Sequence, residues 1–511
     1  MKEDTKNNKI VSLDELASKV ETFKNNKQVV IQSHGVFDLI HPGIIQHLES
    51  AKNQGNVLIV TIIKDKDVKK GPNRPIFPEK LRAENIAALT IVDFVCVVDD
   101  EKPFDSVNQI NPDFLARGQA YKEQDRHLYK EIYEEQQELF FGKTNILETP
   151  GISFDESEIK KNFTENYPDD TKIFLESFSK KYNFKKIADS LNKLKDMNVL
   201  VIGDGIIDEY HYCEPLGKSG KTNLIVFKYQ AHETFVGGAI AIANHVAGIC
   251  NKVELVTLLG KKNPKDDLIK ENIKPNIIGT FFYRDDGPTI VKKRYLHQYL
   301  NQKVFEVNFI NDQPINNSFE KEIISSLSSI VPKYDLVLVS DFGHGFITPN
   351  IFAAIKKHSK FLSVNTQTNG ANSGYNLITK YNGADFVCLD EGEVRLAAQE
   401  KYQNIETVAK NIRENLNINN FIVTLGKKGS LGVTHKNTVN HTPIFSTRVL
   451  DTIGAGDAYF SYTAPCTSSG LPLDLVSFIG NAAGAIAVQI MGNKRAVEKY
   501  EVLELISELI H

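Results

Sequence analysis

The run "DTIGAGDAYF", Asp451 to Phe460, decides how the larger part of this chain is read. A short glycine-rich turn leads directly into an apolar helical pattern. Gly454, Ala455 and Gly456 therefore present backbone N–H groups at a helix N-terminus. Unpaired amides and the helix dipole both favour negative charge there, which makes the turn an anion cradle. Asp457 follows at once, a carboxylate placed where a phosphoryl group would be held. From that position it can take the proton of an attacking hydroxyl while the amides stabilise charge on the transferring phosphate. The bland alternative is a tight helix-entry turn whose aspartate only complements the dipole. G-x-G by itself would merit that reading; the seven residues DTIGAGD together point to catalysis.

Outward from this turn, residues 197–511 alternate apolar strands with helical or glycine-rich sequence. The strands are "NVLVIGDGIID", "VELVTLLG", "YDLVLVSD", "FLSVNT", "ADFVCLD" and "FIVTLG". Strands that are nearly all apolar imply helices on both faces of the sheet. Two interposed stretches, "TNLIVFKYQAHETF" and "PTIVKKRYLHQY", alternate as an exposed antiparallel sheet does, and predict a small lid on the α/β body. Before this region, residues 166–196 read as a polar, helical linker.

The first part of the chain is a second α/β series. Residues 1–27 carry a leading helix with a capping-box start, Ser12 with Glu15. From residue 28 to 165, "QVVIQSHG", "NVLIVTII", "VDFVCVVD" and "DFLARG" are strands. "HPGIIQHLESAKNQG" is a helix, with Pro42 suited to its first turn and Gly55 to its stop.

The bulk numbers fit two such units. At 511 residues, 41% hydrophobic and 24% charged, the chain is a soluble globular protein too long for one ordinary core. A net charge of −4 gives no electrostatic reason to expect nucleic acid or an anionic membrane as partner. Lys69–Lys70 and Lys292–Lys293–Arg294 are short local clusters. The five cysteines are scattered without C-x-x-C spacing, which argues against a disulfide framework or a zinc site. Cys96 and Cys388 sit in apolar runs and read as buried. The polar N-terminus has no signal-peptide core and no run reaches membrane-spanning length, so a cytoplasmic protein is expected.

"DTIGAGD" resembles the second signature of the ribokinase-like (PfkB) carbohydrate kinases, and the resemblance covers residues 197–511. It implies an ATP- and Mg2+-dependent kinase with a ribokinase-like α/β/α fold and a small β lid. In "VLVIGDGIIDEYHY" it places Asp208 on the sugar. "FVGGAIAIANHVAG" is similar to the first signature and puts Gly237, Gly238 and Asn244 at the sugar site, although an asparagine usual early in that motif is absent. "VTLGKKGSLG" and "NAAGAIAVQIMGN" resemble the nucleotide pocket, with Thr424, Gly426, Gly429 and Asn481 as ATP contacts. The family's N-x-x-E motif stands here as Asp390-Glu391-Gly392-Glu393, so Asp390 and Glu393 are expected to support magnesium through water. "VSDFGHG", with Asp341 and His344, and "PTIVKKRYL" look like segments of bacterial heptose-phosphate kinases, whereas "NTQTNGANSGYN" differs from them. Pairing through the lid as a homodimer is a further implication.

"HGVFDLIHPGI", His34 to Ile44, resembles the cytidylyltransferase-like family, which implies a Rossmann-like nucleotidyltransferase domain. Gly35, Phe37, Asp38, His41 and Gly43 fall in the motif. "GPNRPIFPEKLRAENIAAL" supplies Arg74 and Arg82 as phosphate contacts, and Lys64–Lys70 is either a solvated loop or a triphosphate clamp. The nucleotide would be CTP or ATP. The family expects a second histidine where Ile44 stands, and loss of one such donor forfeits about 10²–10³ in rate. Asp155 and Glu156 in "ISFDESEIKKNF", and Gln119-Ala120 in "RGQAYKE", are further departures at phosphate-facing positions. The expectation is a domain that has lost catalysis.

The pairing resembles the bifunctional heptose-phosphate kinase/adenylyltransferases of surface-polysaccharide synthesis, which carry the kinase first. The leading reading is a kinase of a sugar or sugar phosphate, fused to a degenerate nucleotidyltransferase-like domain, in nucleotide-sugar supply. A fully bifunctional enzyme making a nucleotide-sugar and a non-catalytic, ligand-binding regulatory or scaffold protein are the alternatives.

Overall fold

The computed structural model describes residues 9–68, 75–99, 103–118, 144–149, 167–298, 302–370, 372–446 and 449–510. The chain divides into two compact units, Met1–Asn166 and Tyr167–His511.

The first unit is built on strands β1 (Val30–Gly35), β2 (Val57–Ile63), β3 (Phe94–Val98), β4 (Phe114–Gly118) and β5 (Asn145–Thr149). All pairings are parallel, in the order β3-β2-β1-β4-β5. Every residue of β2 is buried, as an apolar strand covered on both faces must be. Alternate residues feed two separate cores. Ile31, Leu58 and Val60 pack with Leu48 and Ile86, whereas Val30 and Ile59 pack with Leu16 and Val20. Leu16 and Val20 lie on the leading helix Leu13–Asn25, so that helix is part of this unit rather than a separate piece. Ser12 caps it by accepting from Glu15 N–H at 3.3 Å. Strand β5, too short and polar to stand out in the alternation, completes the sheet. The strand order reverses between β1 and β4, the place where open parallel sheets leave a crevice at their carboxyl ends.

The second unit contains β6 (Asn198–Lys218), β7 (Ile225–Gly238), β8 (Lys252–Lys262), β9 (Ile277–Pro288), β10 (Ile290–His297), β11 (Lys303–Phe309), β12 (Leu336–Asp341), β13 (Leu362–Thr366), β14 (Phe386–Asp390), β15 (Asn420–Thr424), β16 (Ser430–Thr434) and β17 (Val439–Thr442). The body is parallel from β9 through β8, β6, β12, β13 and β14 to β15, with β16 and β17 antiparallel at one edge. At 21 residues, β6 is long enough to begin in the body and end in the lid. There it pairs with β7 and β10, and β11 pairs with β10.

The lid differs from the sequence expectation in one respect. β6–β7 and β10–β11 are antiparallel, but β10 runs parallel to β6. The cause is local: only Thr289 separates β10 from β9, a parallel strand of the body, so the chain enters the lid in the direction of β6.

The segment read as a linker forms helices Asp169–Lys181 and Phe184–Lys193, which pack within the second unit. Phe178 stacks on Phe478 with ring centroids 4.0 Å apart, and Tyr182 donates to Asp474 at 2.9 Å. Burying a side chain the size of Phe178 contributes about 2–3 kcal/mol, which holds this helix in place. All five cysteines are free and buried. No helix among the described residues is long and apolar enough to cross a membrane.

Candidate active site

The helix Ala455–Ser468 begins where DTIGAGD predicts, with Gly454 at its N-cap. Gly454 has φ +84°, and a Cβ there would lie 2.1 Å from Asn493 Oδ1, so both the left-handed turn and the close neighbour demand glycine. The first α-helical bond runs from Ala458 N–H to Gly454 O at 2.9 Å. The amides of Gly456 and Asp457 thus lie ahead of the intrahelical ladder, at the positive end of the dipole.

Asp457 is buried in the first turn of this helix. Burial and the neighbouring Asp208 carboxylate push its pKa up to about 7, against the opposing pull of Gln367 and Lys292. Gln367 Nε2 donates to Asp457 Oδ1 at 2.7 Å. A carboxylate poised near neutrality is what a general base requires.

Asp208 enters from the lid end of β6, where it pairs with Lys292 of β10 on one side and Phe235 of β7 on the other. Arg294 donates to its Oδ1. A Cβ on Gly237 would fall 2.3 Å from its Oδ2, so the two-glycine step that ends β7 makes room for this carboxylate. Asn493 lies within 4 Å of the Cβ positions of both Gly237 and Gly454, joining the two expected sugar and anion loops. Lys292 is buried, and that burial lowers its pKa despite the nearby Asp208.

Asp451, the first residue of the signature, is a hub rather than a reactant. Its carboxylate accepts from Tyr210 Oη at 2.9 Å, Lys303 Nζ at 2.5 Å, Ile453 N at 3.1 Å and Gly492 N at 3.0 Å. Burial opposes its charge, but these donors outweigh it and hold the pKa below the usual carboxylate range.

Asp390 and Glu393 form a reciprocal capping box at the start of helix Glu391–Ala398. Thr368 N–H also donates to Glu393 Oε1 at 2.9 Å. Burial and the Asp390 charge raise the Glu393 pKa to about 8, with a smaller contribution from Asp457. No cluster of three or more potential metal-ligating side chains occurs among the described residues. This donor set suits Mg2+ that keeps its waters and takes its remaining ligands from phosphate oxygens, the ion's usual habit.

The residues expected at a nucleotide pocket lie together on the β15–β17 side. Thr424 ends β15, Gly426 and Gly429 bracket the turn after it, and Asn481 donates to the carbonyls of Thr442 and Pro443 at 2.9 and 2.8 Å. The Asn481 amide group therefore braces the loop that follows β17. Asn244 donates to Asn272 O at 2.8 Å and accepts from Lys274 N at 3.0 Å.

Sequence reasoning missed Gln367, Lys292, Arg294 and Asn493 as site residues, although each lies in a stretch quoted for its resemblance. Gln367 has no regular spacing to Asp457 along the chain. Asp208–Arg294 pairing appears only once β6 and β10 are known to be neighbours.

In the first unit, Gly35 ends β1, Phe37 adopts φ +50°, and Gly43 is buried in the helix Pro42–Lys52. His41 is the N-cap of that helix, without a side-chain capping bond. Asp38 is buried and accepts from Ile76 N and Phe77 N, bracing the following turn. Ile44 packs against the apolar core on this face. Arg82, expected as a phosphate contact, is engaged inside this unit. Its guanidinium is fully buried and donates to Phe77 O, Val36 O, Ile63 O and Asp65 Oδ1. Those four bonds tie the helix Glu79–Ala87 to the ends of the strands. Arg74, Gln119-Ala120 and the segment with Asp155 and Glu156 lie outside the described residues.

Residues 196–499 match the pfkB family of carbohydrate kinases. This chain belongs to the pfkB family. Ahead of that match, residues 33–141 match the cytidylyltransferase-like family, so this pfkB protein carries the nucleotidyltransferase-like unit first. Among curated proteins it is similar to "Bifunctional protein HldE" of Trichlorobacter lovleyi, 24% identical over 63% of this chain and 66% of that protein. It is also similar to the HldE protein of Methylobacillus flagellatus, 38% identical over 22% of this chain and 24% of that one. The chain thus spans less than two thirds of the length of these relatives. Escherichia coli phosphofructokinase-2, solved in complex with potassium, shares the fold at TM-score 0.51 and 15% identity, covering 62% of this chain and 99% of that chain.

Proposed function

We propose that this pfkB protein transfers the γ-phosphoryl group of ATP to a hydroxyl of a sugar or sugar phosphate. The observation that carries the reading is the buried Asp457 carboxylate at the glycine-rich helix start, with Asp208 beside it. Asp208 orients the acceptor by accepting from its hydroxyls. Asp457 takes the proton of the attacking hydroxyl, the acceptor oxygen forms its bond to the γ-phosphorus, and the bond from that phosphorus to the β-bridging oxygen breaks. ADP leaves with the electron pair of that bond. The amides around Gly454, Ala455 and Gly456 receive the charge that grows on the equatorial oxygens. Asp390 and Glu393 would hold magnesium through water, and the ion would supply neutralisation of phosphate charge there. Thr424, Gly426 and Gly429 line the nucleotide side, with Asn481 bracing its loop.

The first unit is the remnant of a nucleotidyltransferase, without catalysis. Support comes from Ile44 packed into the core where the family places a hydrogen-bond donor, and from Arg82 engaged internally. We take the protein to serve nucleotide-sugar supply in the cytoplasm, a reading that the pairing of a pfkB unit with a cytidylyltransferase-like unit supports. The lid also supports a homodimer: Val304, Phe305, Val307 and Phe309 of β11 and Leu224, Ile225 and Tyr229 near β7 are all exposed, an unusual apolar area for a free surface.

Phosphorus NMR of the pure protein with Mg-ATP, CTP and a panel of hexose and heptose phosphates tests this directly. A new phosphomonoester with ADP, and pyrophosphate at background, is the expected result. Absence of ADP formation overturns the kinase reading; pyrophosphate with a nucleotide-sugar signal overturns the reading of the first unit.

A further inference from the structure

Gln367 immediately follows β13, and its backbone is fixed from several sides. Its N–H donates to Asp341 O at 2.9 Å, its carbonyl accepts from Asn376 Nδ2 at 3.1 Å, and the next N–H, of Thr368, donates to Glu393 Oε1 at 2.9 Å. From this anchored position the side chain crosses to the helix Ala455–Ser468 and donates to Asp457 Oδ1. Among the described residues, no other side chain hydrogen-bonds that carboxylate. The charged groups facing it, Asp208 from β6, Lys292 from β10 and Glu393 from helix Glu391–Ala398, act on it through space.

We propose that Gln367 is a positioning residue for phosphoryl transfer: its amide clamps Oδ1 of Asp457 and so turns Oδ2 toward the acceptor hydroxyl. The inference rests on the kinase reading and deepens it. A carboxylate on a short side chain rotates about its last torsion, and a base that turns away from the proton loses the geometry on which transfer depends. A neutral amide is suited to the task. It donates a charge-assisted hydrogen bond to the carboxylate, takes no proton itself, and adds no charge beside the phosphates. The same short stretch also ties Glu393, through Thr368, to the base. Gln367 thereby sets the spacing between the expected magnesium support and the group that receives the proton.

The test compares Gln367→Met, which keeps length and removes the donor, with Gln367→Lys, which returns a donor able to reach the same oxygen. ADP release from Mg-ATP is followed with mannose 6-phosphate, fructose 6-phosphate and sedoheptulose 7-phosphate as acceptors, and with water alone. The expected result for Gln367→Met is a fall in kcat of about 10–100-fold with KM for ATP and acceptor nearly unchanged. Gln367→Lys returns the donor but with a charge that makes Asp457 less basic, so it should recover part of that kcat and move the acid limb of kcat/KM to lower pH. Both variants should stay folded, with no more than the modest fall in midpoint that one changed donor costs. Wild-type kcat in Gln367→Met overturns the inference while leaving the kinase reading intact. So does a loss shared equally by both variants, accompanied by raised KM and an unmoved acid limb, which is the mark of a structural role. No ADP release by the wild type with any acceptor removes the kinase reading and this inference together.

Discussion

Tyr210, on the lid half of β6, donates its hydroxyl to Oδ2 of Asp451, the first residue of the glycine-rich signature, at 2.9 Å. The bond joins a strand of the lid to the loop that forms the anion cradle, and both groups are buried. Burial first, then the Asp451 charge, keeps the phenol protonated. Removing the hydroxyl in Tyr210→Phe leaves a buried carboxylate with one donor fewer and should cost about 1–3 kcal/mol of stability. Asp451→Ala is expected to cost more, about 3–5 kcal/mol, because the Lys303 ammonium and the Tyr210 hydroxyl both lose their acceptor. Urea unfolding of the two variants measures the difference; equal, negligible losses would mean that the hub does not hold the loop.

The base makes a second prediction. Asp457→Asn removes the proton acceptor but keeps size and polarity, so turnover should fall by about 10²–10⁴-fold with ATP affinity little changed. The pH dependence follows from the raised pKa. Below about 7 Asp457 holds a proton and cannot accept another, so kcat/KM should fall on the acid side and level off above that pH. A rate constant flat from pH 5 to 8, or unchanged turnover in the asparagine variant, would remove Asp457 from the mechanism.

Much of this was legible before the structure, and the parts that were not share a cause. DTIGAGD marks the helix start and puts Asp457 in its first turn because both are local consequences of seven adjacent residues, whereas the left-handed Gly454 and the burial of Asp457 depend on neighbours such as Asn493 and Gln367. The alternating apolar strands likewise announced both parallel sheets. The burial of Arg82 was not legible because a basic residue near a phosphate motif looks the same in sequence whether it faces solvent or donates to Val36 O and Ile63 O. Gln367 and Arg294 were passed over because their partners lie 90 and 86 residues away, across a strand-to-helix contact and the β10–β6 pairing, which no local pattern encodes. The direction of β10 depended on its junction with β9, which reads as one more polar turn.

His47 predicts acid sensitivity in the first unit. Its Nε2 meets Ser33 Oγ at 2.8 Å, and its Nδ1 meets Thr149 Oγ1 at 2.5 Å. Thr149 donates its own proton to Arg117 O at 2.9 Å, so the imidazole donates at Nδ1, and burial favours the neutral ring, whose Nε2 then accepts from Ser33. Burial lowers its pKa from 6.5 to about 4. The folded value lies below the unfolded one, so this contribution is intact above pH 6.5 and is lost as pH falls toward 4. The loss should reach about 3 kcal/mol at the bottom of that window, at roughly 1.4 kcal/mol per pH unit. Hydrogen exchange of the full chain between pH 7 and 4.5 should show earlier opening of β1 and the helix Pro42–Lys52, and His47→Gln should flatten that dependence. Identical pH dependence in both proteins would assign the acid sensitivity elsewhere.

Ile44 offers the most direct trial of the first unit's history. It stands one helical turn from His41, at the place where the cytidylyltransferase-like family expects a histidine, and it is partly buried against the core face that contains Leu48 and Leu58. Ile44→His returns the missing donor but inserts a polar ring into apolar contacts, at a cost of about 1–3 kcal/mol. If the single residue were all that separates this unit from catalysis, the variant should regain part of the 10²–10³ that one such donor contributes, as about that much more pyrophosphate released from CTP or ATP. The expected result is otherwise: lower stability in hydrogen exchange of the helix Pro42–Lys52, with pyrophosphate still at background. Arg82 remains bonded to Val36 O, Ile63 O and Asp65 in either protein, so returning the histidine does not return a cation to the phosphates. Pyrophosphate rising in the variant would show that the crevice at the end of β1 kept the rest of its machinery.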